Sequence, residues 1–112
     1  MQELPAVTER ESHGEAAWFI ADQKNFAAMR DQHHDERVAV VLAAPQGVQG
    51  ALVSDDPLTY FVPPYVGSRG WLGIYLDDRD APAPPAALLR EYLRDAWRLV
   101  APAKLHGSLV DE

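Results

Sequence analysis

The chain of 112 residues carries a net charge of −7 and is 47% hydrophobic and 24% charged, which is typical of a single globular domain. This composition excludes a disordered tail and a coiled coil, and the lack of cysteine excludes disulfides, thiolate metal sites and cysteine nucleophiles. We therefore expect one domain over residues 1–112.

The first residues contain neither a basic patch nor the apolar core of a signal peptide. No apolar run approaches the ~20 residues needed to cross a bilayer. We therefore expect a cytoplasmic protein without a membrane partner. The charge is uneven, with 4 basic and 10 acidic side chains in residues 1–56 but 6 basic and 7 acidic in residues 57–112. A polyanionic partner would therefore contact the second half of the chain.

Three apolar segments in the first half predict β-strands. Residues 16–20 and 25–29 are short, aromatic and apolar, and the polar residues 22–24 between them predict a turn, so the pair is typical of a hairpin. Residues 37–43 are β-branched and almost entirely apolar, which favours a central strand.

Shorter elements are predicted in the middle of the chain. Residues 45–54 have the apolar spacing of a short helix, although Gly47 and Gly50 weaken it. Residues 60–62 and 71–76 are rich in aromatic and aliphatic side chains and predict two further strands.

The strongest pattern in the sequence predicts a helix over residues 85–100, which Pro102 ends. Its apolar residues form one continuous side: Leu89, Tyr92, Leu93, Ala96, Trp97 and Val100. Trp97 lies in the middle of that side, so we expect it to be buried. Hairpin strands followed by a packed helix predict an α+β fold, an antiparallel β-sheet packed against a long C-terminal helix.

Three motifs occur together along the sequence. They are Glu11-Ser12-His13-Gly14 leading into Trp18-Phe19-Ile20, Tyr60-Phe61-Val62-Pro63-Pro64-Tyr65-Val66-Gly67-Ser68-Arg69-Gly70-Trp71-Leu72-Gly73 after Asp56-Pro57, and Ala96-Trp97-Arg98-Leu99-Val100-Ala101-Pro102 with Lys104-Leu105. Their order and spacing resemble those of the MmcQ/YjbR family of small bacterial proteins over residues 4–109. The resemblance implies a fold similar to that of CyaY, the bacterial frataxin. It also implies a DNA-binding role, which rests on a "double wing" structural analogy.

The sequence departs from the resembled family at its start. Relatives usually carry a helix before the segment that matches residues 4–9, whereas Met1 stands roughly where that helix should end. Either the start codon is misassigned or the N-terminal helix is missing or truncated. In the second case the sheet would expose apolar surface to a partner, and we expect self-association through that surface.

The segment over residues 63–71 is the first candidate binding site. Its two prolines and two glycines shape a rigid loop, the kind of element on which binding residues are often found. Tyr65, Arg69 and Trp71 would present aromatic and guanidinium planes to a base or a phosphate. The alternative is that both aromatic rings pack in the core and the arginine pairs with an acid.

Histidines provide further candidates. His13 precedes a glycine, so it could approach a ligand closely, or it could be a turn residue bonded to the backbone. The run over residues 31–36 holds two histidines and three acids, but neighbouring strand residues face opposite ways, so we expect no metal site there. We expect no cofactor, because no cofactor motif is present.

A row of basic residues on the long helix is the last candidate. Three arginines repeat at i, i+4 and i+8, and a lysine follows beyond the helix end: Arg90, Arg94, Arg98 and Lys104. This row could contact phosphates. The alternative is an ordinary solvated surface on which Glu91 and Asp95 pair with the arginines.

These observations favour a non-enzymatic binding protein, with DNA as the partner that the family resemblance implies. A protein-interaction module, or a small-ligand-binding domain without affinity for nucleic acid, is the alternative. An enzyme is the weakest hypothesis, because no catalytic constellation stands out in the sequence.

Overall fold

The computed structural model describes residues 6–12, 15–20, 24–32, 37–64, 66–77 and 81–101. Within these ranges it contains six strands, two α-helices and a short 3-10 helix, Val66–Arg69. In chain order the strands and α-helices are β1 (Val7–Ser12), β2 (Glu15–Ile20), β3 (Lys24–Gln32), β4 (Arg37–Leu42), α1 (Val48–Asp55), β5 (Tyr60–Phe61), β6 (Leu72–Tyr75) and α2 (Ala86–Val100).

The six strands form one sheet in the order β1-β2-β3-β4-β6-β5, and every neighbouring pair is antiparallel. The first four strands follow one another as hairpins. After β4 the chain passes through α1, adds β5 at the far edge of the sheet, and returns in β6. This arrangement confirms the predicted α+β fold with an antiparallel sheet and a C-terminal helix. The expectation that an N-terminal helix is missing or truncated stays a prediction, because residues 1–5 lie outside the described residues.

The strand β1 is an element that the sequence pattern does not predict. Its sequence, Val-Thr-Glu-Arg-Glu-Ser, has one aliphatic residue and three charges. It nevertheless pairs with β2 along its whole length, from Val7 opposite Ile20 to Ser12 opposite Glu15. Such a strand forms because its partner supplies the hydrogen bonds. Its charges are typical of a sheet edge that faces water.

The two faces of the sheet differ in what they contact. Tyr60 lies opposite Ile74, and its hydroxyl is 2.8 Å from that of Tyr92 on α2. The face that carries these strand residues is therefore the one that α2 covers. On the other face, Phe61 lies over Gly73 and stacks on Tyr75 with a ring-centroid distance of 4.5 Å.

The long helix closes the core. Ala96 and Trp97 are fully buried, and Trp97 is among the largest buried side chains of the described chain. The helix begins at Ala86 and ends at Val100, where the backbone N–H of Ala101 donates to the carbonyl of Trp97 at 2.7 Å. Both the predicted helix and the predicted burial of Trp97 are thus confirmed. The predicted short helix is also present as α1, which begins three residues later than expected.

Candidate functional site

The proline–glycine loop, residues 62–71, connects β5 to β6 and folds back on itself. The N–H of Gly67 donates to the carbonyl of Pro63 at 2.9 Å, and that of Trp71 donates to the carbonyl of Val66 at 3.3 Å. Gly70 has a φ of +86°, a left-handed conformation that favours glycine. The glycine and the backbone bonds together hold the loop in one shape.

A side chain from α1 also holds this loop. The Gln49 Nε2 donates to the carbonyl of Gly67 at 2.8 Å and to that of Trp71 at 2.6 Å. Gly67 lies in the 3-10 helix and Trp71 lies just before β6, so a single amide ties two points of the loop to α1. Sequence reasoning missed Gln49, because its two partners lie 18 and 22 residues further along the chain.

Replacing Gln49 with alanine should loosen the proline–glycine loop. Two carbonyls would lose their donor, which costs about 1–2 kcal/mol. An opening free energy lowered by ~1.4 kcal/mol makes the open loop about tenfold more populated. We therefore expect trypsin to cleave after Arg69 about tenfold faster. The matched control is Gln46→Ala, an exposed glutamine just before α1. Equal cleavage rates in the two variants would show that the amide does not hold the loop.

The candidate residues of this loop have different surroundings. Trp71 is only 5% exposed and packs in the core, which fits the packing alternative, since a buried ring cannot stack on a base. Arg69 is exposed, and its guanidinium carbon lies 5.5 Å from the Trp71 ring centroid. Arg69 therefore remains a candidate contact for a ligand, and its guanidinium group lies over the Trp71 ring. Tyr65 and His13 lie outside the described residues.

The arginine row on α2 consists of Arg90, Arg94 and Arg98, and it reaches solvent along one side of the helix. Arg90 and Arg98 are exposed and Arg94 is half-buried. Each of the three arginines already has an interaction partner. A bound phosphate would add a contact to side chains that these interactions already orient. The fourth basic residue of the prediction, Lys104, lies outside the described residues.

The interhelix cavity lies between α1, α2 and the sheet and has a volume of about 250 Å³. It is lined by residues of four chain segments: Leu42, Ala43, Ala44, Pro45, Val48, Ala51, Leu52, Leu72, Tyr92 and Asp95. Only the last two carry polar side chains. Sequence reasoning missed this cavity, because its walls come from segments far apart in the chain.

A pair of tyrosines stands beside the interhelix cavity. The rings of Tyr60 and Tyr92 meet edge to face with centroids 6.0 Å apart, and their hydroxyls are hydrogen-bonded. Burial raises the pKa of Tyr60 above its ordinary value, and the hydrogen bond to Tyr92 and the nearby Asp56 and Asp55 raise it further. The Tyr60 hydroxyl therefore keeps its proton at neutral pH.

The leucine groove is a second, smaller apolar depression, about 130 Å³, between α2 and strands β2 to β4. Its lining has no charged residue: Trp18, Met29, Val40, Leu42, Leu76, Leu89 and Leu93. At its rim the Nε1–H of Trp18 donates to the Oε1 of Glu9 at 3.1 Å. Exposed apolar depressions of this kind are common at protein contacts.

Metal-binding and membrane-spanning features are absent from the ranges that the structure describes. No three histidine, cysteine, aspartate or glutamate side chains come together there to hold a metal ion. Neither α1 nor α2 is both long and apolar enough to cross a membrane. The expectation about residues 31–36 stays a prediction, because the side chains of that run lie outside the described residues.

A comparison with known families shows to which family this chain belongs. The profile of the YjbR family matches residues 2–99, which span all six strands, α1 and almost all of α2. The chain belongs to the YjbR family. This confirms the resemblance that the motifs indicated. No curated protein and no solved structure matches the chain.

The YjbR match also covers the candidate sites described above. It includes the proline–glycine loop, the arginine row and every residue that lines the interhelix cavity. It ends at residue 99, so Lys104 lies beyond the part of the chain that the YjbR profile matches. The candidate surfaces of this protein are therefore built on the YjbR domain itself.

Proposed function

We propose that this YjbR protein is a non-enzymatic DNA-binding protein that contacts the phosphate backbone through the arginine row. The observation that carries the proposal is the placement of Arg90, Arg94 and Arg98 one turn apart on a helix whose apolar side is packed on the sheet. Guanidinium groups bind phosphate through paired N–H donors, and such contacts position a protein on DNA.

The charge balance restricts where DNA would bind. The helix α2 carries three arginines against Glu91 and Asp95, whereas the whole chain is strongly acidic. Phosphates are repelled by most of the surface and attracted by this side of α2, with Arg69 as a further exposed cation. If four phosphates are neutralised, the logarithm of the association constant should fall with the logarithm of the salt concentration, with a slope of about −3 to −4.

The proposal is tested by fluorescence anisotropy with a labelled duplex and a labelled single strand, between about 50 and about 200 mM salt. The double variant Arg90→Ala/Arg94→Ala should reduce the magnitude of the salt slope by about 2 and weaken binding to all sequences alike. The matched control Lys24→Ala/Arg30→Ala removes the same charge from β3 and should leave the slope unchanged. Circular dichroism verifies that both variants fold.

Two outcomes would contradict the proposal. One is equal loss of binding in the two double variants, which would mean that only the net charge matters. The other is no binding of either DNA by the wild-type protein at about 50 mM salt, where electrostatic attraction is strongest.

A protein-interaction module is the second candidate function. The leucine groove favours it, because this groove presents seven apolar side chains between α2 and the sheet. Failure of both DNA probes would leave this candidate as the better one. Its own test is sedimentation velocity over a range of concentrations, which detects association of the chain with itself.

A further inference from the structure

The helix α1 contacts the rest of the protein with residues that are only partly buried or exposed. None of its eight residues is buried, and its N-cap residue, Gly47, supplies no side-chain hydrogen bond. Short helices are stable mainly because one side packs against the rest of the protein. Leu52 and Val53 pack against the core without being fully buried, and Val48 and Leu52 line the interhelix cavity. A molecule in the cavity would therefore add to the partial packing of α1.

The interhelix cavity suits an apolar body. Its floor is formed by Leu42 and Leu72 from the sheet, and its wall by Val48, Ala51 and Leu52 from α1. A volume of about 250 Å³ is several times the share of one water molecule, about 30 Å³. Water needs two to four polar partners, which these side chains do not offer. An apolar group of roughly eight to ten non-hydrogen atoms would fit better than water.

The two polar residues of the lining both belong to α2 and so mark the α2 end of the cavity. Asp95, which is exposed, carries a carboxylate, and half-buried Tyr92 carries a hydroxyl. The two hydroxyls of Tyr60 and Tyr92 share one hydrogen bond, which uses one of their two protons. Together these groups offer acceptors to a ligand, and the only formal charge in the lining is negative. A cation complements this end, whereas an anion would be repelled.

We propose that the interhelix cavity binds a small primary amine with an aromatic or branched aliphatic body. The body lies against Leu42, Leu72 and the apolar side of α1. The ammonium group bonds to the carboxylate of Asp95 and the hydroxyl of Tyr92. This site is separate from the arginine row, so it holds whether or not the protein binds DNA.

The test compares two probes with the same aromatic body and opposite charges, 2-phenylethylamine and 3-phenylpropionate. Each is titrated into the ¹⁵N-labelled full chain, and amide shifts are followed by NMR. We expect saturable shifts at α1 and at Asp95, with a Kd for the amine of about 1 mM or tighter. The carboxylate should bind about tenfold more weakly. Absence of saturation with the amine, or equal binding of the two probes, would overturn the proposal.

Variants locate the site and separate charge from packing. Asp95→Asn should weaken binding of the amine about tenfold and leave the carboxylate unaffected or better bound. Glu91→Gln is the matched control, since it removes a carboxylate from an exposed position of α2 outside the cavity lining and should change nothing. Equal effects of these two changes would contradict the role of Asp95.

A filled cavity should no longer bind the probe. Ala51→Phe places a ring from α1 in the space, and Val48→Phe does the same from one turn earlier. We expect either variant to abolish the NMR shifts while circular dichroism stays that of the wild type. Retained binding in a folded variant would show that the amine binds elsewhere.

Discussion

Replacing Trp97 with alanine should lower the free energy of unfolding by about 3–5 kcal/mol, most of the stability of a domain this small. The side chain is fully buried on the side of α2 that packs on β3 and β4. Its removal leaves a cavity that the surrounding sheet and helix can only partly close. Urea denaturation followed by circular dichroism measures the loss.

The control for this experiment is Leu99→Ala, two residues further along the same helix. Leu99 is 52% exposed, so its truncation should change the free energy of unfolding by about 0.5 kcal/mol or less. Both changes shorten an apolar side chain in the last turns of α2. Similar losses in the two variants would mean that the helix presents a different side to the sheet.

The second large effect is expected at Gly73, in the middle of β6. A Cβ added there would collide with the ring of Phe61, which lies across the glycine. The ring would have to move away, and its stacking on Tyr75 would be lost. Gly73→Ala should therefore cost about 2–4 kcal/mol, combining overpacking with the lost ring contact.

A double-mutant cycle shows whether the ring of Phe61 causes this cost. In a Phe61→Ala background the change at Gly73 should cost about 0.5 kcal/mol or less, because the three atoms nearest the added Cβ all belong to the Phe61 ring. Gly50→Ala is the control for the substitution itself, since nothing lies within 4 Å of its added Cβ. In a helix interior that change should stabilise the protein by up to about 1 kcal/mol. A cost at Gly73 that persists without the ring would contradict the explanation.

The sequence predicts the central strands and α2 because their apolar residues recur with the period of the element they form. The six apolar residues of α2 share one side, and that side is the one in contact with the sheet. The strand β1 could not be predicted in this way. Its pattern is mostly polar, and it is a strand because β2 offers a complete row of backbone partners.

The candidate sites were only partly predictable, for a related reason. The arginine row was predictable, because residues four apart on a helix are neighbours. The burial of Trp71 was not predictable, because an aromatic residue beside a strand can either stack on a ligand or pack in the core. The way in which the proline–glycine loop folds back decides between these two, and it leaves Trp71 buried. Neither Gln49 nor the interhelix cavity leaves a local pattern, because each joins segments distant in the sequence.

The two edges of the sheet have a consequence for how the protein behaves at high concentration. One edge is β1, where Glu9, Arg10 and Glu11 are exposed, and the other is β5, which has only two residues. Charged or very short edge strands are poor templates for the addition of a strand from another molecule. Growth of the sheet into fibres is therefore disfavoured at both ends.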